Sequence, residues 1–325
     1  MGMAPEKMIT PAQRNVAWGT CSLRFRLPAL ELQLTGLSAA QRKALVANYP
    51  GFIDETAGGS SEQRINCRAY PLAQPLDLPP SALARDGQYS PRKTRLPGGA
   101  GIALTGINFE ARFGMDPPPA SAELGVFEEH ELAGEMVIQN FLRILTAHLL
   151  PQRGGVVLHS AGLVFDGRAY VFPGYSNAGK TTLTRKAHAR GARVLSDDIN
   201  LVLPGREGYR AYAVPFTGEF GSTLDHRGGK SCYPLAGVVL LEQGERLETR
   251  LPNPAAAVAR LLACCPFVNT DEEESATLFD VLTTLVTTVP VIGLRSRRDD
   301  GIDAIMAAVK SQIETAEAAG EGHRD

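Results

Sequence analysis

The chain has 325 residues, 44% of them hydrophobic, a length that points to two domains with buried cores. It carries 33 Lys and Arg against 35 Asp and Glu, for a formal net charge of −2. That balance gives no basic field for nucleic acid and no acidic solvated tail, and 6% aromatic content gives no stacking platform.

In chain order, Met1 to Arg14 lacks the apolar core of a signal peptide. Leu23-Arg24-Phe25-Arg26-Leu27 and Leu30-Glu31-Leu32-Gln33-Leu34 alternate apolar and polar residues, the pattern of half-buried strands. Leu37 to Tyr49 reads as a short helix opened by a capping box, Ser38-Ala39-Ala40-Gln41. Residues 71 to 119 are rich in proline and glycine, with short strands expected at Gly101 to Leu104 and Ile107 to Phe113. These features predict a mostly β N-terminal domain over 1–125.

Glu128 to Leu150 has helical periodicity. Beyond it the pattern becomes α/β. Val156 to Phe165 and Ala169 to Phe172 read as a hairpin across Asp166-Gly167, followed by a helix that ends near Gly191. Strands are expected at Arg193 to Leu195, Ile199 to Leu203, Tyr209 to Val214, Gly237 to Leu241 and Val289 to Arg295. Helices are expected at Pro254 to Cys264, Ala276 to Thr287 and Gly301 to Ala318. The second domain is placed at 126–319, with a frayed tail at 320–325. No apolar run reaches the ~20 residues of a membrane span. Cys21, Cys67, Cys232, Cys264 and Cys265 show neither zinc-site nor disulfide spacing. The expectation is a cytoplasmic protein with reduced thiols that engages neither membrane nor nucleic acid.

The strongest motif is Gly174-Tyr175-Ser176-Asn177-Ala178-Gly179-Lys180-Thr181, which fits the phosphate-binding pattern G-x-x-x-x-G-K-[ST]. An apolar strand precedes it, and a helix follows from Thr182. A glycine-bearing loop between a strand and a helix N-terminus makes an anion cradle. The nucleotide is therefore expected on residues 174–182. Lys180 would neutralise the outer phosphates of ATP, and the Thr181 hydroxyl would bind Mg²⁺. The predicted strands and helices bring two further groups to the same sheet edge: His159 in the strand Val156 to Gly162, and the pair Asp197-Asp198 beyond the next strand. One carboxylate can hold Mg²⁺ while the other accepts the proton of an attacking hydroxyl. The plainer readings are a hydrogen-bonded strand histidine and a solvated acidic turn.

On those residues, Val156 to Val202 resembles the catalytic domain of HPr kinase/phosphorylase and its wider kin. Shared with that family are a Val-His-Gly/Ser element, a short hairpin, the phosphate loop, an Arg-Gly helix end and an Asp-Asp pair. The resemblance implies a phosphoenolpyruvate-carboxykinase-like P-loop fold. It also implies His159, Lys180 and Asp198 as catalytic residues and the Thr181 hydroxyl on Mg²⁺, which leaves Asp197 as the carboxylate of the pair expected to serve the metal. Two shorter stretches, Pro234 to Leu241 and Val289 to Arg295, resemble shorter HPr-kinase-related proteins, including kinases that modify ribosomal peptides. The Glu-Ile-Arg-Gly-Leu-Gly element of the bifunctional enzyme is absent, and Pro215 to Gly221 occupies its place. Glu219 there is either a further metal carboxylate or a surface glutamate. Arg227, Lys230 and Arg250 are either contacts to the γ-phosphate or acceptor, or surface charges. The implied activity is a Mg²⁺-dependent kinase without efficient phosphorylase activity. Its acceptor would be a Ser or Thr of a protein or peptide, or else a small alcohol. A non-catalytic nucleotide-binding regulatory module is the alternative. The resemblance also admits a homo-oligomer.

Overall fold

The computed structural model describes residues 16–28, 30–54, 64–74, 84–85, 88–89, 91–99, 101–115, 121–175, 177–216, 218, 232–268 and 272–321. The fold is mixed α/β and divides into two compact units, Met1–Leu145 and Thr146–Asp325.

The first unit contains β1 (Cys21–Leu27), β2 (Leu30–Leu37), α1 (Ala39–Asn48), β3 (Ile53–Asp54) and β4 (Arg64–Pro71). A two-residue hairpin follows, β5 (Ala84–Arg85) and β6 (Gln88–Tyr89). Then come β7 (Arg92–Arg95), β8 (Gly101–Gly106), β9 (Phe109–Gly114) and β10 (Ser121–Val126). Eight strands form one sheet in the order β3-β1-β2-β4-β10-β9-β8-β7. β4 runs parallel to both β2 and β10, so strands distant in sequence meet at the centre. Alternation decides which side chains enter the core, where Phe25, Leu32, Leu34, Ile65, Cys67, Phe109, Phe113 and Leu124 are buried. The capping box on α1 forms as its sequence requires: Gln41 N–H donates to Ser38 Oγ at 3.1 Å, and Ser38 N–H to Gln41 Oε1 at 3.0 Å.

The helix expected over 128–150 is broken. A 3₁₀ turn spans Glu129–Ala133, a π-turn Glu135–Gln139, and only α2 (Asn140–Leu149) is α-helical. Gly134 between the first two is extended, at φ −81° and ψ 165°, which interrupts the helical ladder. The units divide within α2 rather than at 125/126. The preceding segment packs on the N-terminal sheet, where Asn48 Nδ2 and Tyr49 Oη each donate to Ala133 O at 3.2 Å, and Phe141 meets Phe113 edge-on.

The second unit contains β11 (Val156–Phe165), β12 (Arg168–Pro173), α3 (Lys180–Ala189), β13 (Arg193–Ser196), β14 (Ile199–Gly205), β15 (Gly208–Tyr212) and β16 (Cys232–Gln243). After these come β17 (Glu248–Arg250), α4 (Pro254–Ala263), α5 (Glu272–Thr288), β18 (Val291–Ser296) and α6 (Ile302–Glu321). α6 runs two residues into the segment read as a tail, while 322–325 lie outside the described residues. The β11–β12 hairpin turns through Asp166 and Gly167, both left-handed at φ 49° and 73°.

Pairing runs β12-β11-β14-β15-β16-β18-β17, and β12 also pairs in parallel with β16. The last contact closes β12, β11, β14, β15 and β16 into a ring, with β18 parallel to β16 outside it. α3 and α6 cover one face, burying Leu183, Ala187, Ile302, Ile305, Met306 and Val309 against Phe172, Val239, Leu241, Ile292 and Leu294. The carboxyl ends of the parallel strands β12, β16 and β18 thus share one edge, where open α/β sheets place ligands. Among the described residues, no helix is long and apolar enough to cross a membrane.

Candidate functional site

The loop between β12 and α3 is shaped by residues that tolerate it. Gly179, the N-cap of α3, has φ 103°, and Asn177 is left-handed at φ 66°. A Cβ on Gly174 would lie 2.8 Å from the Ala178 Cβ and 3.3 Å from Leu241 O, so only glycine lets the loop close on β16. Gln243 at the end of β16 fastens the loop from outside, donating to Asn177 O at 2.6 Å. The first turn of α3 holds no acidic residue, and Gly179 offers no side-chain cap. The helix N-terminus therefore favours an exogenous anion. Thr181 and Thr182 are half-buried in that turn, Tyr175 is exposed, and Ser176 lies outside the described residues.

Lys180 is buried and folds back over the loop. Its Nζ donates to Gly174 O at 2.7 Å and Tyr175 O at 2.9 Å. Burial lowers its pKa, while the Cys264 thiol and the Asp198 carboxylate act in the opposite direction.

Strand pairing brings the aspartates to His159. β14 pairs with the first half of β11, His159 opposite Ile199, and β13 pairs with the second half, Gly162 opposite Ser196. The turn joining β13 to β14 therefore sits beside His159 and Ser160. Ser160 N–H donates to Asp198 O at 2.8 Å. The Asp198 carboxylate faces the imidazole, with Oδ1 3.5 Å from His159 Nε2, and both side chains are about one-fifth exposed. Asp197 is buried and meets the backbone at Gly218. Its Oδ1 accepts the Gly218 N–H at 3.2 Å, and a Cβ on Gly218 would come within 2.7 Å of both carboxylate oxygens. Two adjacent carboxylates thus occupy different environments, one aimed at a titratable partner and one against backbone.

Three features of this edge were not read from the motifs. The Cys264 carbonyl, just past α4, accepts the His159 N–H at 2.8 Å. Burial raises the Cys264 thiol pKa, and the charges of Lys180 and Arg260 act in the opposite direction. Glu242, one residue before Gln243, gathers three guanidinium groups. Arg295 Nε lies at 2.9 Å, Arg250 Nη2 at 3.5 Å, and Arg260 Nη1 is also bonded to it. Arg250 therefore serves an intramolecular network. Finally, Ser196 and Asn200 hold the aspartate turn by side-chain hydrogen bonds. A Ser-x-x-Ile-Asn spacing around the acidic pair was the available signal. Glu219, Arg227 and Lys230 lie outside the described residues.

The donors fit a small hard cation. Mg²⁺ keeps several waters and takes one or two protein oxygens beside substrate phosphates. The Thr181 hydroxyl with the Asp197 or Asp198 carboxylate supplies that chemistry. No group of three or more His, Cys, Asp or Glu among the described residues forms a closed cage for a metal. Loop amides, the helix N-terminus and Lys180 together suit a polyphosphate.

The family model for SynChlorMet cassette protein ScmC matches residues 127–297. Among solved structures, the Hpr(Ser) kinase/phosphatase from Coxiella burnetii aligns over 51% of this chain and 98% of its own, with 12% identity and a TM-score of 0.27. No curated protein matches the chain.

Proposed function

This chain belongs to the ScmC family of SynChlorMet cassette proteins, and for it we propose a Mg²⁺-dependent kinase that moves the γ-phosphate of ATP to a hydroxyl acceptor. The acceptor is a Ser or Thr of a protein or peptide. One observation carries the reading: the turn between β13 and β14 sets the Asp198 carboxylate 3.5 Å from His159, on the strand whose hairpin precedes the glycine-bearing loop. A nucleotide-binding loop alone needs no such carboxylate.

In this reading the loop amides and Lys180 hold the β- and γ-phosphates. Asp198 takes the proton from the acceptor hydroxyl as its oxygen attacks the γ-phosphorus, and ADP departs in line. His159 orients the Asp198 carboxylate, and its positive form stabilises charge near the transferring group. Thr181 and Asp197 would hold Mg²⁺, which when bound neutralises phosphate oxygens. The missing Glu-Ile-Arg-Gly-Leu-Gly element supports transfer without efficient phosphorolysis.

The test is incubation with γ-labelled ATP and Mg²⁺ against Ser/Thr peptide libraries and a panel of small alcohols. The expected result is label on a peptide hydroxyl, lost in Asp198→Asn. Intact MgATP binding with no label on any acceptor would favour a non-catalytic regulatory module instead.

A further inference from the structure

Asn200 is fully buried, yet it keeps an amide where an aliphatic side chain would pack without desolvation cost. Its Oδ1 has no hydrogen-bond partner among the described residues, an uncompensated buried acceptor. That oxygen lies over Gly162, where a Cβ would come within 2.1 Å of it. An unsatisfied acceptor and an obligatory glycine are both tolerated for the sake of the donor end. Asn200 Nδ2 donates to Ser160 O at 2.8 Å and Ser160 Oγ at 3.0 Å, and reaches Ser196 O at 3.5 Å. Ser160 follows His159, and Ser196 precedes Asp197-Asp198. One amide therefore ties together the two backbone segments that carry the pair.

Ser196 completes the hold. It is buried, and its Oγ accepts the N–H groups of Asp198 and Ile199, each at 3.2 Å, while donating to Phe216 O at 3.4 Å. The Asp198 carbonyl accepts from Ser160 N–H at 2.8 Å. Asp198 is thus held at both its backbone donor and its backbone acceptor, which fixes the direction in which its side chain leaves. Local serine–backbone bonds of this kind stabilise non-helical turns.

We propose that Ser196 and Asn200 are positioning residues whose role is to set the approach of the Asp198 carboxylate to His159. They act through the backbone and touch neither nucleotide nor acceptor. The proposal rests on the kinase reading only for its consequence, that turnover depends on this approach.

The test is a double-mutant cycle, His159→Ala with Asp198→Asn, followed by urea denaturation of the full chain. It is run at one fixed pH in every background. The cycle is repeated in Ser196→Ala, Ser196→Thr and Asn200→Ala backgrounds. In the wild-type background the pair should change the unfolding constant by at least about twofold beyond additivity. That factor should fall to unity in Ser196→Ala and Asn200→Ala and return in Ser196→Thr, which keeps the hydroxyl. A general loss of stability would lower every arm of the cycle and leave the coupling in place. Where an alanine variant does not fold, Ser196→Cys or Asn200→Ser takes its place. Coupling that survives loss of both side chains, or that is absent from the wild-type background, overturns the proposal. MgATP binding and transfer are measured on the same proteins. Their absence in wild type would sink the kinase reading while leaving the coupling result to stand by itself.

Discussion

His159 Nε2 stands 3.5 Å from Asp198 Oδ1 because β13 and β14 pair with successive halves of β11, which carries the turn between them to the histidine. A histidine used for chemistry rather than packing should be dispensable for folding. His159→Ala is expected to melt within a few degrees of wild type and to lose most phosphotransfer. Early melting would identify a structural histidine.

Asp198→Asn keeps the size of the side chain and the backbone bonds of the turn. It should bind MgATP normally and transfer about 10²–10⁴-fold more slowly, the usual contribution of a positioned base. Asp197→Asn should instead raise the Mg²⁺ concentration needed for half-maximal rate. Initial rates at saturating nucleotide, with Mg²⁺ titrated, separate the two. Reversed behaviour would exchange the roles.

Lys180 gives a pH signature. Burial lowers its pKa in the ligand-free fold, so the folded state binds this proton less tightly than the unfolded chain does. Burying the charge costs stability fully at neutral pH. The cost fades as pH rises through the folded pKa toward the unfolded value near 10.5. Relative to Lys180→Met, wild type should gain stability as pH is raised above neutral, measured by urea denaturation. A difference that stays flat with pH would show that the ammonium is not desolvated.

Glu242 has the opposite sign. Burial pushes its carboxyl up, but the Arg295 hydrogen bond and the charges of Arg260, Arg250 and Arg295 outweigh that and lower it. A lowered carboxylate contributes stability above its unfolded value near 4.5 and loses it as pH falls through the folded pKa. Glu242→Gln should cost roughly 0.5–1 kcal/mol at neutral pH, because the Arg250 and Arg295 guanidinium groups are about half exposed and solvent screens them. The penalty should shrink below pH 4.5. A penalty unchanged by acid would mean lost packing rather than lost charge.

Much of the local structure was legible in the sequence. Asp166-Gly167 announces the hairpin because both residues accept left-handed backbone, and Ser38 with Gln41 announces α1 through reciprocal capping. The loop from Gly174 to Lys180 was readable because its spacing reflects backbone geometry. What escaped depends on partners remote in the chain. β4 is a strand because β2 and β10 flank it in parallel, which no local pattern reveals. The Glu242 network draws on β16, β17, α4 and β18. The clamp by Asn200 needs the register of β14 on β11 before its amide can be seen to reach Ser160. The break at Gly134 escaped because apolar spacing continues across it.

The proposed kinase requires that residues 174–182 bind a nucleoside triphosphate through Lys180. Calorimetric titration of wild type and Lys180→Ala with MgATP tests it most directly. Saturable binding by wild type and at least about tenfold weaker binding by the variant are expected, because the lost contact is a charge-assisted bond in a buried site. Equal affinity in the two proteins, or no binding by wild type, would contradict it.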